Sequence, residues 1–367
     1  MEIKIFGKIE DAPPEWGKLA NDVFLSAKYL KANEESAPKN YQTYYVTLWE
    51  KGQIQAISAC QILSFNLSQV GASAWFLESL VSKLKFIAFS FGNMMLTGNH
   101  AAVFANTAAE HYFYTHIEEI AERIQKLSGI QRDVLVLKDF NFKEKTKIKA
   151  FLSQFSSIKV QPNMVMNLHK NWKEFSDYLQ AMRTKYRTRA KRAFKKSNDL
   201  QFCTLTLNEI EQYKNEIYEQ YQCVFENAEV KSYVLPPNYF YTLKKELKDD
   251  FELIAGFLDK KLVCFYTLIK NRNELESGFL GYDAAYLQVY ALYQRMLYEM
   301  IAKGIALKVQ KIIFSRTALE IKSSVGAIPE EVFVFAKAKN LVLNYFLDKI
   351  VAFFYKEPKF EARNVFR

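Results

Sequence analysis

The chain carries the same plan twice. "YYVTLWEKGQIQAISACQI" and, two hundred residues later, "FELIAGFLDKKLVCFYTLIK" are each a run of β-branched and aromatic residues, a short turn, and a second such run. The turn residues are Lys51-Gly52 in the first stretch and Asp259-Lys260-Lys261 in the second. Each hairpin is followed by a further apolar run ("KLKFIAFSFGNMML"; "ELESGFLGYD") and a helical rhythm ("NTAAEHYFYTHIEEIAERIQKL"; "AAYLQVYALYQRMLYEMIAKG"). Another strand closes each series ("DVLVLKDF"; "VQKIIFS"). A β-β-β-α-β order met twice restricts the chain to two related α/β domains in tandem. Its 367 residues are too many for one small core. The expected domains are 1–165 and 166–367.

Periodicity sets finer expectations. Tyr112, Ile117, Ile120, Ile124 and Leu127 recur at helical spacing and predict one helix over 106–127. A second is expected around Asn21–Lys31, and a third from Ala284 that ends at Gly304 as its C-cap. "RTALEIKSSVGA" opens a short helix. "LVLNYFLDKIVAFFY" reads as an apolar helix too short to span a bilayer, expected to pack on the core or, failing that, on a second copy.

The join between the halves is unusual. From Asn171, apolar residues recur at Trp172, Phe175, Leu179, Met182, Tyr186, Ala190 and Ala193, one stripe of an amphipathic helix over 171–198. Arg183, Arg187, Lys191 and Lys195 fall on one flank of that stripe, and Lys185, Arg189, Arg192 and Lys196 on the other. These eight cations carry most of the formal excess of +10, which falls to +2 without them. A solvated face whose long stems cover apolar surface is one reading. The stripe ends in alanines rather than Trp or Leu, which argues against a membrane-surface helix. An uninterrupted cationic block costs self-repulsion, so an anionic partner such as RNA, or a phosphate-rich carrier, is the other reading.

The same residues carry a family resemblance. "WKEFSDYLQAMRTKYRTRAKRAFKKSNDLQF" resembles the helix that precedes the second acyltransferase domain of FemAB/FemX-like transferases. "GFLGYD" and "FSRTALEIKSSVGA" resemble stretches of the BioF-like acyltransferases, and "EWGKLANDVFLSAKYLKANEESAP" and "GNMMLTGNH" the N-terminal half of such proteins. Some are named for peptidoglycan biosynthesis or recognition. The resemblance implies tandem GNAT-like (acyl-CoA N-acyltransferase) domains joined by a long basic helix. It implies an N-acyl or aminoacyl transferase joining an activated acyl group to an amine, in cell-envelope or peptidoglycan metabolism. The rival from another class is a non-catalytic GNAT-fold module that binds an anionic ligand or RNA through the basic helix.

For the site, the resemblance implies an acyl donor between two splayed parallel strands, here Glu274–Tyr282 and Val309–Ser315. A backbone N–H there would stabilise the tetrahedral oxyanion, and donor phosphates would meet the N-terminus of the next helix. Tyr282 and Asp283 are the substrate-binding candidates, although Asp283 also has the position of an ordinary N-cap. Lys322, Glu320 and Arg316 are the catalytic candidates, at the C-terminal end of a central strand. Glu320 would accept the amine proton, and Arg316 and Lys322 would hold a carboxylate or phosphate; the bland reading is an i,i+4 pair between Arg316 and Glu320. Arg183, Arg187, Arg189, Lys191 and Lys195 are the anion- or RNA-binding candidates.

The donor is open between aminoacyl-tRNA, an acyl carrier and acyl-CoA. No glycine lies between Gly281 and Gly304, where coenzyme-A-using relatives place a glycine-rich loop. Acetyl-CoA is disfavoured for that reason, and a tRNA donor would also employ the basic helix. No tightly bound cofactor is expected. The four histidines are scattered, and the four cysteines show no metal-ligand spacing, so no metal is expected and the thiols read as buried and reduced. No signal-peptide core opens the chain, and no apolar run is long enough for a span. A cytoplasmic protein without integral membrane association is expected.

Overall fold

The computed structural model describes residues 1–66, 85–228, 231, 233–354 and 360–367. Two residues at the start of "KLKFIAFSFGNMML" and Tyr355 at the end of the apolar C-terminal stretch lie outside them. The chain divides into two compact units: residues 1–161, 229–236 and 331–358, and residues 162–228, 237–330 and 359–367. The sequence suggests one boundary after residue 165, whereas these units exchange segments.

The first unit's sheet begins with β1 (Glu2–Phe6), β2 (Tyr41–Glu50), β3 (Gln53–Asn66) and β4 (Lys85–Phe91), each antiparallel to the next. The short β5 (Ala102–Phe104) adds to β3. β6 (Val134–Phe140) runs parallel to β4, from Ala88 opposite Val134 to Phe91 opposite Leu137. The β2–β3 turn places Lys51 and Gly52 at φ 49° and 76°, the left-handed pair that matches strand twist in a two-residue hairpin. Helix Ile117–Ser128 buries Ile117, Ile120, Ala121 and Ile124 and stops at left-handed Gly129. The single helix expected over 106–127 is two, Thr107–Thr115 and Ile117–Ser128, parted at His116, whose Nδ1 lies 2.8 Å from the Tyr112 carbonyl oxygen. The helix expected around Asn21–Lys31 is a 3₁₀ turn, Val23–Leu25, then Ala27–Glu35, because Asp22 and Ser26 each cap a new start.

β7 (Ser156–Asn167) carries the chain into the second unit. There β8 (Gln201–Thr204), β9 (Phe251–Leu258), β10 (Lys261–Asn271) and β11 (Glu274–Tyr282) form an antiparallel meander. β12 (Lys311–Ile313) is parallel to β11, and β7 pairs antiparallel with β12 through Val165–Asn167. β13 (Ile328–Ala338) then returns to the first unit and pairs antiparallel with β6. Both units therefore have the strand order of a meander, a parallel pair and a closing antiparallel strand. In each, the closing strand lies on the far side of the chain's crossing.

Helix Leu292–Ala306 is buried almost all round and packs in the second unit's core. Gly304 does not cap it but lies inside it. A Cβ there would come within 2.7 Å of Ile312 Cδ1 and 2.9 Å of Leu168 Cδ1, so the glycine serves close approach of helix to strand. The helix expected from Ala284 is interrupted. A short turn, Ala284–Leu287, gives way at Ala291, which sits at φ 50° and starts the main helix.

The basic helix is likewise two pieces, Phe175–Ala181 and Thr184–Lys196. Met182 is extended at ψ 145° and bridges to Phe366. Arg183 N–H donates to the Val365 carbonyl at 2.9 Å and Arg367 N–H to that of Ala181 at 3.2 Å. Strand-like pairing to 365–367 thus replaces helical hydrogen bonds at the break. Cys60 and Cys264 are buried, but Cys203 is exposed, against expectation. In helix Leu341–Phe354, Leu347 is buried while Leu341, Val342, Tyr345 and Phe346 are exposed, so the expected packing on the core holds for only part of the described side chains. No helix among the described residues is long and apolar enough to cross a membrane.

Candidate functional site

The parallel pair of the second unit opens. β11 and β12 are in register only from Glu274 opposite Lys311 to Glu276 opposite Ile313, although β11 continues to Tyr282. Beyond that point the β12 side stays with β7: Phe314 N–H donates to the Met164 carbonyl at 2.8 Å, and Met164 N–H to that of Ser315 at 3.1 Å. β11 stays with β10 and is bulged there, with one extra residue between Ser277 and Leu280. The Thr267 hydroxyl satisfies the bulge, accepting from Phe279 N–H at 2.8 Å and donating to its carbonyl at 3.0 Å. The Ser315 hydroxyl ties the fork's base, donating to the Ser277 carbonyl at 3.1 Å.

Left-handed backbone crowds one arm of the fork. Ser315, Thr317 and Ala318 have φ of 61°, 67° and 46°, none of them glycine. Each costs about 1 kcal/mol or more. Lys322, 4 % exposed, holds this loop by donating from Nζ to the Arg316 carbonyl at 2.6 Å and the Ser315 carbonyl at 3.4 Å. Burial without a carboxylate partner brings its amine down to about 7. On the other arm, the chain leaves β11 through Tyr282 and Asp283. Asp283 accepts from Ala285 N–H at 3.0 Å and pairs with Lys261 at 3.0 Å. Burial pushes its carboxyl up, but the Lys261 ammonium and the capped amide outweigh this and hold it below the usual range. Tyr282 is half-buried, and burial followed by the neighbouring Cys223 raises its hydroxyl.

No protein-family profile matches the chain, and no curated protein matches it. Solved structures do. FemX is similar at a TM-score of 0.61, with 10 % identity, over 95 % of this chain and 100 % of FemX. The fold is a tandem GNAT fold of the FemX kind. The C-terminal domain of a putative lysylphosphatidylglycerol synthetase from Agrobacterium fabrum is also similar, at 0.51 with 8 % identity, over 92 % of this chain and 96 % of that one. So is a tandem GNAT protein from the clavulanic acid biosynthesis pathway, at 0.51 with 9 % identity, over 92 % and 99 %.

Within this GNAT fold the residues singled out from sequence separate. Lys322 is turned inward onto main-chain carbonyls. Glu320 is exposed and faces Arg363 at 3.7 Å. Arg316 is half-buried at the loop itself. Asp283 caps a helical turn. Ala291 shows that the turn ahead of the main helix takes its left-handed residue without a glycine, so the missing glycines do not remove the turn.

Sequence reading passed over Glu276. It is a carboxylate only 6 % exposed, on the last residue of β11 that pairs with β12, and thus at the apex of the fork. The available signal was an acid inside a run otherwise suited to burial, "ELESGFLGY".

On the basic helix, Tyr186, Ala190 and Ala193 are buried, while Arg183, Arg189, Lys191 and Lys195 are exposed and Arg187 is half-buried. Arg183 Nε donates to the Phe366 carbonyl at 2.9 Å. Among the described residues, Arg187, Arg189, Lys191 and Lys195 make no ion pair. Arg295 anchors the helix's far end. It stacks on Phe194 and Phe202, pairs with Glu299 at 2.7 Å and donates to the Ser197 carbonyl at 3.0 Å.

Proposed function

We propose that the protein transfers an acyl or aminoacyl group to an amine acceptor in the fork of the second unit. The single observation that carries this reading is the parallel pair that parts after Glu276 and Ile313, with a bulged strand on one arm and a strained loop on the other. An acyl carbonyl lying in such a fork can accept from main-chain amides freed by lost pairing. The acceptor nitrogen attacks the carbonyl carbon, the N–C bond forms, the bond to the donor's oxygen or sulfur breaks, and the departing atom takes a proton. Glu276 is the candidate base for the amine proton, with Glu320 the alternative. Lys322 positions the loop rather than touching the reactants.

The donor favoured is an aminoacyl-tRNA. Unpaired cations on the basic helix support this, as does the likeness of the fold to FemX and to the domain of a putative lysylphosphatidylglycerol synthetase. The test is binding of tRNA with and without the changes Arg187→Glu, Lys191→Glu and Lys195→Glu together. Binding is expected to be abolished, and each lost phosphate contact flattens the log–log salt dependence by about 0.7–0.9. Unchanged affinity and slope in a folded triple variant would leave the helix as a solvated face. A fork that transfers nothing, with tRNA still bound, would favour the non-catalytic binding module.

A further inference from the structure

The first unit holds a buried guanidinium with no partner among the described residues. Arg132 lies between helix Ile117–Ser128 and β6 and is only 8 % exposed. Its backbone N–H donates to Gln125 Oε1 at 3.2 Å, but its side-chain Nη1 is buried and has no acceptor among the described residues. Of the carboxylates that line the two cavities, Asp133 and Glu118 are engaged elsewhere, while Glu122 is exposed to solvent. Asp133 Oδ2 accepts from Ile87 N–H at 2.8 Å, and Glu118 pairs with Lys337 at 2.7 Å. Burying an unpaired cation costs several kcal/mol, and a buried donor without an acceptor calls for an occupant.

Space for one exists. Arg132 and Lys339 line two adjoining cavities of about 300 and 390 Å³, a size suited to a small ligand. Lys126 and Gln125 add donors on one side. Phe86 and Leu343 make the other side apolar. The apolar rim continues onto Leu341, 82 % exposed, and from there onto Val342, Tyr345 and Phe346 of the same helix. The guanidinium's influence also reaches the interior: burial raises the Cys60 thiol, and Arg132 partly offsets that rise.

We propose that this pocket binds a phosphate group attached to an apolar body, with Arg132 as the principal anion ligand and Lys339 as its helper. An arginine fork suits a phosphate's oxygens, and the Phe86–Leu343–Leu341 side suits an alkyl portion. The ligand is either a soluble phosphate ester or the headgroup of a membrane phospholipid. The pocket lies wholly in the first unit and does not depend on the transferase reading of the second.

The test measures binding of octyl phosphate and of inorganic phosphate by calorimetry, with the unfolding temperature followed in parallel. Octyl phosphate is expected to raise the unfolding temperature and to bind at least about tenfold more tightly than inorganic phosphate. Arg132→Met is expected to weaken it by about ten- to a hundredfold, and the exposed Lys339→Met by a smaller factor. If Arg132→Met does not fold, Arg132→Lys decides, because it keeps the charge and loses the fork. Flotation with phosphatidylglycerol vesicles, compared with phosphatidylcholine, assigns the source. Arg132-dependent flotation means a lipid headgroup, and its absence alongside octyl phosphate binding means a soluble ester. No binding of octyl phosphate, or binding unchanged in folded variants of both Arg132 and Lys339, overturns the proposal.

Discussion

Each unit buries one lysine beside the end of its parallel pair, and the two are wired differently. In the first, Lys138 donates to the carbonyls of Asn93 at 2.8 Å and Leu96 at 2.6 Å and is balanced by Asp139 at 2.7 Å. The chain leaving β4 is pressed against it: Gly92 sits at φ 112°, and a Cβ there would stand 2.8 Å from Lys138 Cγ. In the second unit Lys322 does the same clamping work on Ser315 and Arg316, with no acid paired to it among the described residues and three left-handed non-glycine residues in its loop. One shared topology thus has a version balanced by Asp139, itself left-handed at φ 68°, and a version with three left-handed residues and an amine that no carboxylate pairs among the described residues. Strain and perturbed ionisation cluster at functional sites, and this difference is the ground for placing the proposed transfer chemistry in the second unit.

The largest effect should come from the first unit. Lys138→Met takes away the ammonium that faces the buried Asp139 carboxylate, which keeps the Gly98 N–H at 3.1 Å, and should cost about 3–5 kcal/mol of unfolding free energy. Lys322→Met orphans two carbonyls but no charge, and should cost no more than about 2 kcal/mol while abolishing transfer. Chemical denaturation of both variants checks this, and equal losses would erase the contrast.

The second effect is in pH. Lys322 titrates near 7 in the folded protein against its ordinary 10.5. Between those values the unfolded chain binds the extra proton, so this group makes stability rise with pH from about 7 to about 10.5, and the rise is lost as pH falls through 7. Wild type minus Lys322→Met should show that rise, about 2–4 kcal/mol over the window. A flat difference would mean that Lys322 is charged and satisfied like Lys138. The smallest effect concerns the turn at Ala291 ahead of helix Leu292–Ala306. Ala291→Gly should stabilise the protein by about 1 kcal/mol or less, because glycine takes a φ of 50° without cost but loses more chain entropy. A destabilised variant would show that the alanine methyl is needed there.

The strands and hairpins were legible because apolar runs and turn residues lie within a few positions of one another. Tandem organisation followed from meeting that local plan twice. What escaped was non-local. The break at Met182–Arg183 depends on Val365–Arg367, far beyond any periodicity window, so the stripe from Trp172 to Ala193 reads as unbroken. Ala291, Ser315, Thr317 and Ala318 adopt left-handed backbone with no glycine to announce it. Lys322, Arg132 and Glu276 belong to residue types that usually face water, so their burial is visible only once the surrounding strands are in place. For the candidate site, sequence located the fork and the loop after β12, but not which side chains face inward.

The exchange of closing strands has a consequence for biosynthesis. β6 obtains its antiparallel neighbour only from residues 333–338, and the break in the basic helix obtains its partner only from residues 365–367. A ribosome that has made the entire first repeat has therefore not yet made the strand that completes it. The first half therefore cannot reach its final form during its own translation, and the long sequence separation of these pairings makes their formation slow. Until residues 333–338 have been made, the nascent chain exposes an unpaired β6 edge, which is the kind of surface that chaperones shield and that aggregation exploits.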